Sequence, residues 1–289
     1  MPRKNSKDKG QEVKTTGHEW DGIQEYENRE PVWLRVLFYS MLFLSFGYWF
    51  LYPSWPTPRN TGVLEWSSTQ EVKDEIGKIE KIQEKYLQIF NKTPISEVEK
   101  NPELLKFAMA GGKSAFQNNC AVCHGAGGNG NFGYPNLTAG SWLWGGKLED
   151  IYTTLKYGIR SNHPETRESI MAAFGRDKIL TADEVVLLTH YVMTLSQPKK
   201  DKYDFDYSVA QKLFQNNCAS CHGDSGTGNY EFGAPNLADQ IWLYGSSYED
   251  IYSVIYNGRA GVMPFWEGKL SDNTIKQLAL YVHNLGGGE

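Results

Sequence analysis

Phe116-Gln117-Asn118-Asn119-Cys120-Ala121-Val122-Cys123-His124-Gly125 is followed, further along the chain, by Phe214-Gln215-Asn216-Asn217-Cys218-Ala219-Ser220-Cys221-His222-Gly223. Each stretch contains Cys-x-x-Cys-His, the attachment signature of a c-type haem. Thiols three residues apart on a helical turn reach both vinyl groups as thioethers, and the adjoining imidazole swings under the iron. Cys120, Cys123, Cys218 and Cys221 are therefore read as attachment residues, and His124 and His222 as proximal iron ligands, of two covalently attached haems. These are all the cysteines in the chain, so none remains for a disulfide framework. Two Cys-x-x-Cys pairs can also hold a structural zinc, and one pair can be a thiol redox site. A zinc ribbon would bring its pairs closer together, without a histidine directly after each.

Around these motifs the chain repeats itself. Tyr134-Pro135-Asn136-Leu137 answers Ala234-Pro235-Asn236-Leu237, Trp142-Leu143-Trp144-Gly145 answers Trp242-Leu243-Tyr244-Gly245, and Glu149-Asp150-Ile151-Tyr152 answers Glu249-Asp250-Ile251-Tyr252. Both copies close with a helix, expected over 183–195 and 273–285. The polar run from Ser196 to Tyr207 links them.

The sixth iron position decides the chemistry. Met171, in Ser169-Ile170-Met171-Ala172, and Met263, in Gly261-Val262-Met263-Pro264, stand at equivalent places between the middle and last helices of each copy. Both are read as iron ligands. His/Met ligation raises the reduction potential and leaves no site for a substrate, which means electron transfer and no catalytic residue. His190 and His283 fall at non-equivalent positions in the closing helices and are read as surface or satisfied histidines. Met193 is read as core, and His18 belongs to the tail. The ligand set is the same whichever methionine serves which iron. The spacings, 47 residues from His124 to Met171 and 41 from His222 to Met263, suit closure of each loop over its own haem, and that pairing is expected. The carbonyls of Pro135 and Pro235 would accept the remaining ring proton of His124 and His222. Trp142 and Trp242 would wall the haem edges, and Arg167 would pair with a propionate.

The N-terminal part is of another kind. Residues 1 to 30 are polar, with Lys or Arg at 3, 4, 7, 9, 14 and 29, and most of this is read as a mobile tail. Val36 to Tyr52 carries no charge, and Val32 to Leu34 extend the run across Arg35, enough for a membrane span. Trp33, Tyr48, Trp49, Tyr52 and Trp55 supply interfacial anchors, and Pro53 and Pro56 end the helix. A cleaved signal peptide would have a shorter apolar core and a small-residue site after it, whereas Tyr-Pro-Ser-Trp-Pro follows here. The basic residues ahead of the span place the tail in the cytoplasm, with the rest on the far side. Residues 69–90 carry Val72, Ile76, Ile79, Ile82, Tyr86 and Ile89 or Phe90 at helical steps and form an amphipathic helix. Asn101-Pro102 starts another, which Gly111-Gly112 would break before a new helix runs from Lys113 into the first motif.

These readings give an all-α chain: one N-terminal transmembrane helix followed by two tandem class I cytochrome c domains. The expected divisions are a cytoplasmic tail at 1–31, the span at 32–52, and a periplasmic connector at 53–102. Cytochrome c domain 1 follows at 103–197, a linker at 198–207, and domain 2 at 208–289. A net charge of -5, with no basic patch, argues against nucleic acid and suits a small cationic redox partner.

At this level of detail the chain resembles the dihaem cytochrome c subunit, subunit III, of cbb3-type cytochrome c oxidases, from the tail to the last helix. Gly17-His18-Glu19-Trp20-Asp21-Gly22-Ile23-Gln24-Glu25 resembles that family's motif ahead of the membrane span. So do Ser141-Trp142-Leu143-Trp144-Gly145-Gly146, and Gly158-Ile159-Arg160-Ser161 with His163-Pro164-Glu165-Thr166-Arg167. Ala172 departs from the family's usual proline after the first methionine. The resemblance implies an inner-membrane, single-pass electron relay in bacteria with periplasmic haem domains. It would take electrons from a donor cytochrome c and pass them, through a monohaem cytochrome c subunit, to a catalytic haem-copper oxidase subunit. Two other classes stay open: a cytochrome subunit of a membrane dehydrogenase, and a dihaem peroxidase-like enzyme with one open iron.

Overall fold

The computed structural model describes residues 14–53, 62–196 and 205–288. The basic residues at 3, 4, 7 and 9, together with Trp55, Pro56, Arg59 and residues 198 to 204 of the expected linker, lie outside these. The chain forms two compact units, one up to Lys81 and one from Ile82 onward.

The first unit begins with a hairpin where a mobile tail was expected. Strands β1 (Thr15–Trp20) and β2 (Ile23–Tyr26) pair antiparallel, with Trp20 opposite Ile23 and Glu19 opposite Gln24. Asp21 and Gly22 take φ of 48° and 85°, the left-handed pair that a two-residue hairpin turn requires and that Asp-Gly adopts cheaply. Helix α1 (Val32–Leu51) follows, 20 residues long and exposed throughout. At 1.5 Å per residue it is about 30 Å, the thickness of a bilayer's hydrocarbon. It ends before Pro53, with Tyr48 stacked on Tyr52 at 4.7 Å and Trp66 edge-on to Tyr52 at 5.7 Å.

Helix α2 (Ser68–Lys92) is the expected amphipathic helix, and only its end is buried. Phe90 is fully enclosed and Tyr86 stacks on Phe107 at 5.5 Å, whereas Val72, Ile76, Ile79 and Ile82 are exposed. After the short α3 (Ile95–Val98), α4 (Pro102–Asn119) starts where the sequence indicates: Asn101 Oδ1 accepts from the backbone N–H groups of Glu103 and Leu104 at 3.1 and 3.3 Å, with Pro102 in the first turn. It then runs unbroken through Gly111-Gly112, against expectation. Those glycines make room for another helix: a Cβ on Gly111 would lie 2.4 Å from Gln277 Oε1, and one on Gly112 would lie 2.3 Å from the Gln277 carbonyl oxygen. Gly112→Val should push the two helices apart and cost about 1–3 kcal/mol by overpacking, read as a lowered Tm.

The remaining elements are α5 (Ala121–His124), α6 (Leu148–Tyr157), α7 (Ala182–Ser196), α8 (Tyr207–Asn217), α9 (Ala219–His222), α10 (Tyr248–Asn257) and α11 (Asp272–His283). Their packing crosses the repeat. The last helix, α11, lies on α4 and α6 of the first copy, and α7 of the first copy lies on α8 and α10 of the second. One core joins Leu104, Ala108 and Phe116 to Ile151, Leu155, Ile275, Leu278 and Val282. The other joins Val185, Leu188 and Tyr191 to Ala210, Phe214, Ile251 and Ile255. The copies have exchanged their closing helices, so each globular half contains chain from both. Lys276 on α11 reinforces this by donating to the carbonyls of Phe90, at 2.8 Å, and Thr93, with Nζ 4.6 Å from the Phe90 ring centre.

Candidate haem clefts

Each Cys-x-x-Cys-His stretch is a short helical turn directly after the first helix of its copy, stopped by a glycine in the left-handed region: Gly125 at φ 79° and Gly223 at φ 76°. His124 Nδ1 lies 3.0 Å from the Pro135 carbonyl oxygen and His222 Nδ1 lies 3.0 Å from that of Pro235. A carbonyl can only accept, so Nδ1 carries the proton and Nε2 keeps its lone pair for a metal. Burial lowers both histidines from their ordinary pKa, only partly opposed by the proline carbonyl, which keeps the rings neutral. Burial also pushes Cys120 up to about 11 and Cys218 up to about 12, so both are thiols at neutral pH.

The histidines open onto two apolar clefts. The one holding His222, Cys218 and Cys221 has a volume of about 300 Å³ and is also lined by Trp242, Ile251, Phe174 and Met171. The smaller one holds His124 and Cys120 and is lined by Trp142, Ile151, Leu155, Val282 and Met263. Met171 thus faces the second motif and Met263 the first, the reverse of the expected pairing. Two-bond bridges fix the exchange. Met171 N donates to the Arg259 carbonyl at 3.0 Å and Arg259 N returns to Met171 at 3.2 Å; Met263 and Ile159 make the same pair at 3.0 Å each way. Glycines allow the contact, since a Cβ on Gly158 would lie 2.6 Å from the Met263 carbonyl oxygen and one on Gly258 2.4 Å from that of Met171.

The expected pairing assumed that exchanged ligands would be lost whenever two domains parted. The closing helices are exchanged with the methionines, so parting would split both hydrophobic cores. Loop-closure entropy changes too slowly with length to oppose this.

Trp142 and Trp242 wall their clefts as anticipated. Arg167 does not reach either one: its Nε donates to Thr154 Oγ1 at 2.9 Å and its guanidinium lies 5.3 Å from the Trp144 ring centre. The arginines that do line a cleft, Arg160 and Arg259, are both at that of His222; in the sequence Arg160 stands out only as part of the Gly158-Ile159-Arg160-Ser161 resemblance, and Arg259 not at all. Leu143 lines both clefts, which makes it the partition between them. His190 is buried beside Phe205 and Tyr248, His283 Nδ1 lies 3.0 Å from Glu99 Oε1, and Met193 packs at the second core. Among the described residues no cluster of three or more His, Cys, Asp or Glu would hold a zinc ion.

The residues present fit a covalently held haem. An imidazole with a free Nε2 stands in each apolar cleft, with Cys218 and Cys221 lining one and Cys120, on the same turn as Cys123, lining the other. In the His222 cleft Trp242 Nε1 is buried with no hydrogen-bond partner among the described residues, a donor for a polar edge. Such clefts make this a c-type cytochrome. Family models agree: cytochrome c matches residues 109–196, cytochrome c oxidase, cbb3-type, subunit III matches 206–282, and the N-terminal domain of cytochrome oxidase-cbb3, FixP, matches 12–58. The cbb3-type cytochrome c oxidase subunit FixP of Bradyrhizobium diazoefficiens is 47% identical over 95% of both chains. Subunit CcoP of Azospirillum brasilense is 44% identical over 96% of both, and CcoP of Cereibacter sphaeroides 39% identical over the full length of both. The chain belongs to the FixP/CcoP family of cbb3-type cytochrome c oxidase subunits.

Proposed function

We propose that this chain is the membrane-anchored electron-transfer subunit of a cbb3-type oxidase, carrying two c-type haems that relay electrons towards the oxygen-reducing subunit. The observation that carries the reading is the pairing, in each cleft, of a methionine with a histidine whose Nε2 is left for a metal, with Leu143 lining both clefts. Haem supplies the one-electron couple. Cys120 with Cys123 and Cys218 with Cys221 would hold the two groups by thioethers. His124 with Met263, and His222 with Met171, would hold the two irons. Pro135 and Pro235 orient the imidazoles, and the apolar walls exclude water, which favours the reduced form. An iron held from both sides by these residues would exchange electrons without binding a substrate, as a relay requires.

Helix α1 anchors the chain in the inner membrane with its N-terminus in the cytoplasm, so the haem clefts face the periplasm. The donor is a cytochrome c, and the acceptors are a monohaem cytochrome c subunit and the catalytic haem-copper subunit.

His124→Ala or His222→Ala is expected to lower haem content and oxidase turnover together in the purified complex. Full turnover by a haem-deficient complex would sink the relay, and a high-spin ferric band in the unaltered protein would favour a peroxidase-like reading. Removing residues 1 to 57 should release a soluble, haem-loaded fragment that still exchanges electrons with cytochrome c but no longer co-purifies with the catalytic subunit. Retained co-purification would shift the docking contact to the exposed Val72, Ile76, Ile79 and Ile82 face of α2.

A further inference from the structure

Arg160 sits at the crossing of the two copies with φ of 49°, a left-handed conformation that a non-glycine residue adopts only where its surroundings repay the strain. Its backbone N–H donates to the Arg167 carbonyl at 2.8 Å, which pins the residue. Its guanidinium then makes two bonds in different directions. Nε donates to the Gly261 carbonyl and Nη1 to the Ser169 carbonyl, each at 2.5 Å. Gly261 lies two residues before Met263, and Ser169 two residues before Met171. A single side chain is thus hydrogen-bonded to both methionine straps, one from each copy.

We infer that Arg160 is a shared positioning residue that sets both iron–sulfur contacts at once, so that the two haem sites respond together to a change at one side chain. The inference rests on the exchanged pairing of Met263 with His124 and Met171 with His222. A planar guanidinium presents several donors in a rigid fork, which suits two carbonyls held at a fixed mutual angle; an ammonium lacks that geometry. Burial pulls the guanidinium below its ordinary pKa, yet it remains charged at any physiological pH, so the clamp is constant. The second arginine of the cleft differs. Arg259 Nη1 donates to its neighbour's carbonyl, that of Gly258, at 2.8 Å, and its guanidinium lies 4.7 Å from the Tyr244 ring centre. Its side chain serves one cleft, which makes it the natural comparison.

The test is made on the full chain in its assembled, haem-loaded complex, with Arg160→Gln, Arg160→Lys and Arg259→Gln. The readouts are the sulfur-to-iron charge-transfer band of ferric Met-ligated haem and the midpoint potential of each haem, at matched haem content and helicity. Arg160→Gln should weaken the band at both haems and shift both oxidised-to-reduced ratios about tenfold towards oxidised, a fall of ~59 mV each. Arg160→Lys should give a smaller change at both, and Arg259→Gln a change at the His222 haem alone. A change confined to one haem in Arg160→Gln, or none, overturns the shared role. If Arg160→Gln fails to assemble, Arg160→Lys decides by the same criterion. Failure of the pairing itself would show separately, as Met171→Ala perturbing the haem on His124.

Discussion

Ending the chain after Ser271 is expected to wreck the first haem site and spare the second. The lost helix, α11, carries Ile275, Leu278, Ala279, Leu280, Tyr281 and Val282, all buried, and it packs on α4 and α6 of the first copy. Fully burying an aliphatic or aromatic side chain is worth roughly 1.5–3 kcal/mol, so their removal takes away about 10 kcal/mol, as much as the whole stability of an ordinary domain. The His222 cleft draws its closing helix from α7 and its methionine from residue 171, and neither is touched. The haem on His124 should therefore become high-spin or be lost, while the haem on His222 keeps its low-spin spectrum. Damage confined to the His222 haem would mean that each copy closes on its own helix.

The exchanged placement of Met171 and Met263 makes an equally large prediction for single side chains. Met171→Ala should turn the haem on His222 high-spin, and Met263→Ala the haem on His124, with covalent attachment intact because that rests on the cysteines. Losing the thioether ligand should lower the potential of the affected haem by on the order of 0.1 V or more, within the ~0.8 V that axial ligands span. Combining variants reads out the pairing. Met171→Ala added to His222→Ala should leave one normal low-spin haem, whereas Met171→Ala added to His124→Ala should leave none. The opposite result in both combinations would restore the unexchanged pairing.

The sequence makes the components legible and hides their arrangement. Cys-x-x-Cys-His, the two methionine positions, the proline carbonyls and the membrane helix each depend on a short stretch of chain, and a short stretch is enough to state them. Exchange depends on which of two equivalent partners a segment chooses. Because the copies carry the same motifs, either choice satisfies the local pattern. Gly111-Gly112 misleads for a related reason: glycine costs a helix about 1 kcal/mol per residue, but a close crossing with α11 more than returns it. The hairpin at Asp21-Gly22 was readable from its turn alone. Arg160 was not, because the two carbonyls it binds come together only once the copies cross.

The crossing also dictates an order of manufacture. The first attachment turn is complete once His124 has been made, but the helix that closes its cleft begins only at Asp272, after the whole of the second attachment turn. Chains fold as they emerge, and the part made first ordinarily folds first. Here the first cleft must stay open while residues 125 to 271 are made, which leaves its thiols and imidazole accessible to whatever machinery delivers haem. The second cleft can close once α10 and the following residues to Gly261 are made, since α7 and Met171 are already waiting. Maturation would therefore run backwards along the chain, the later-made cleft sealing before the earlier one.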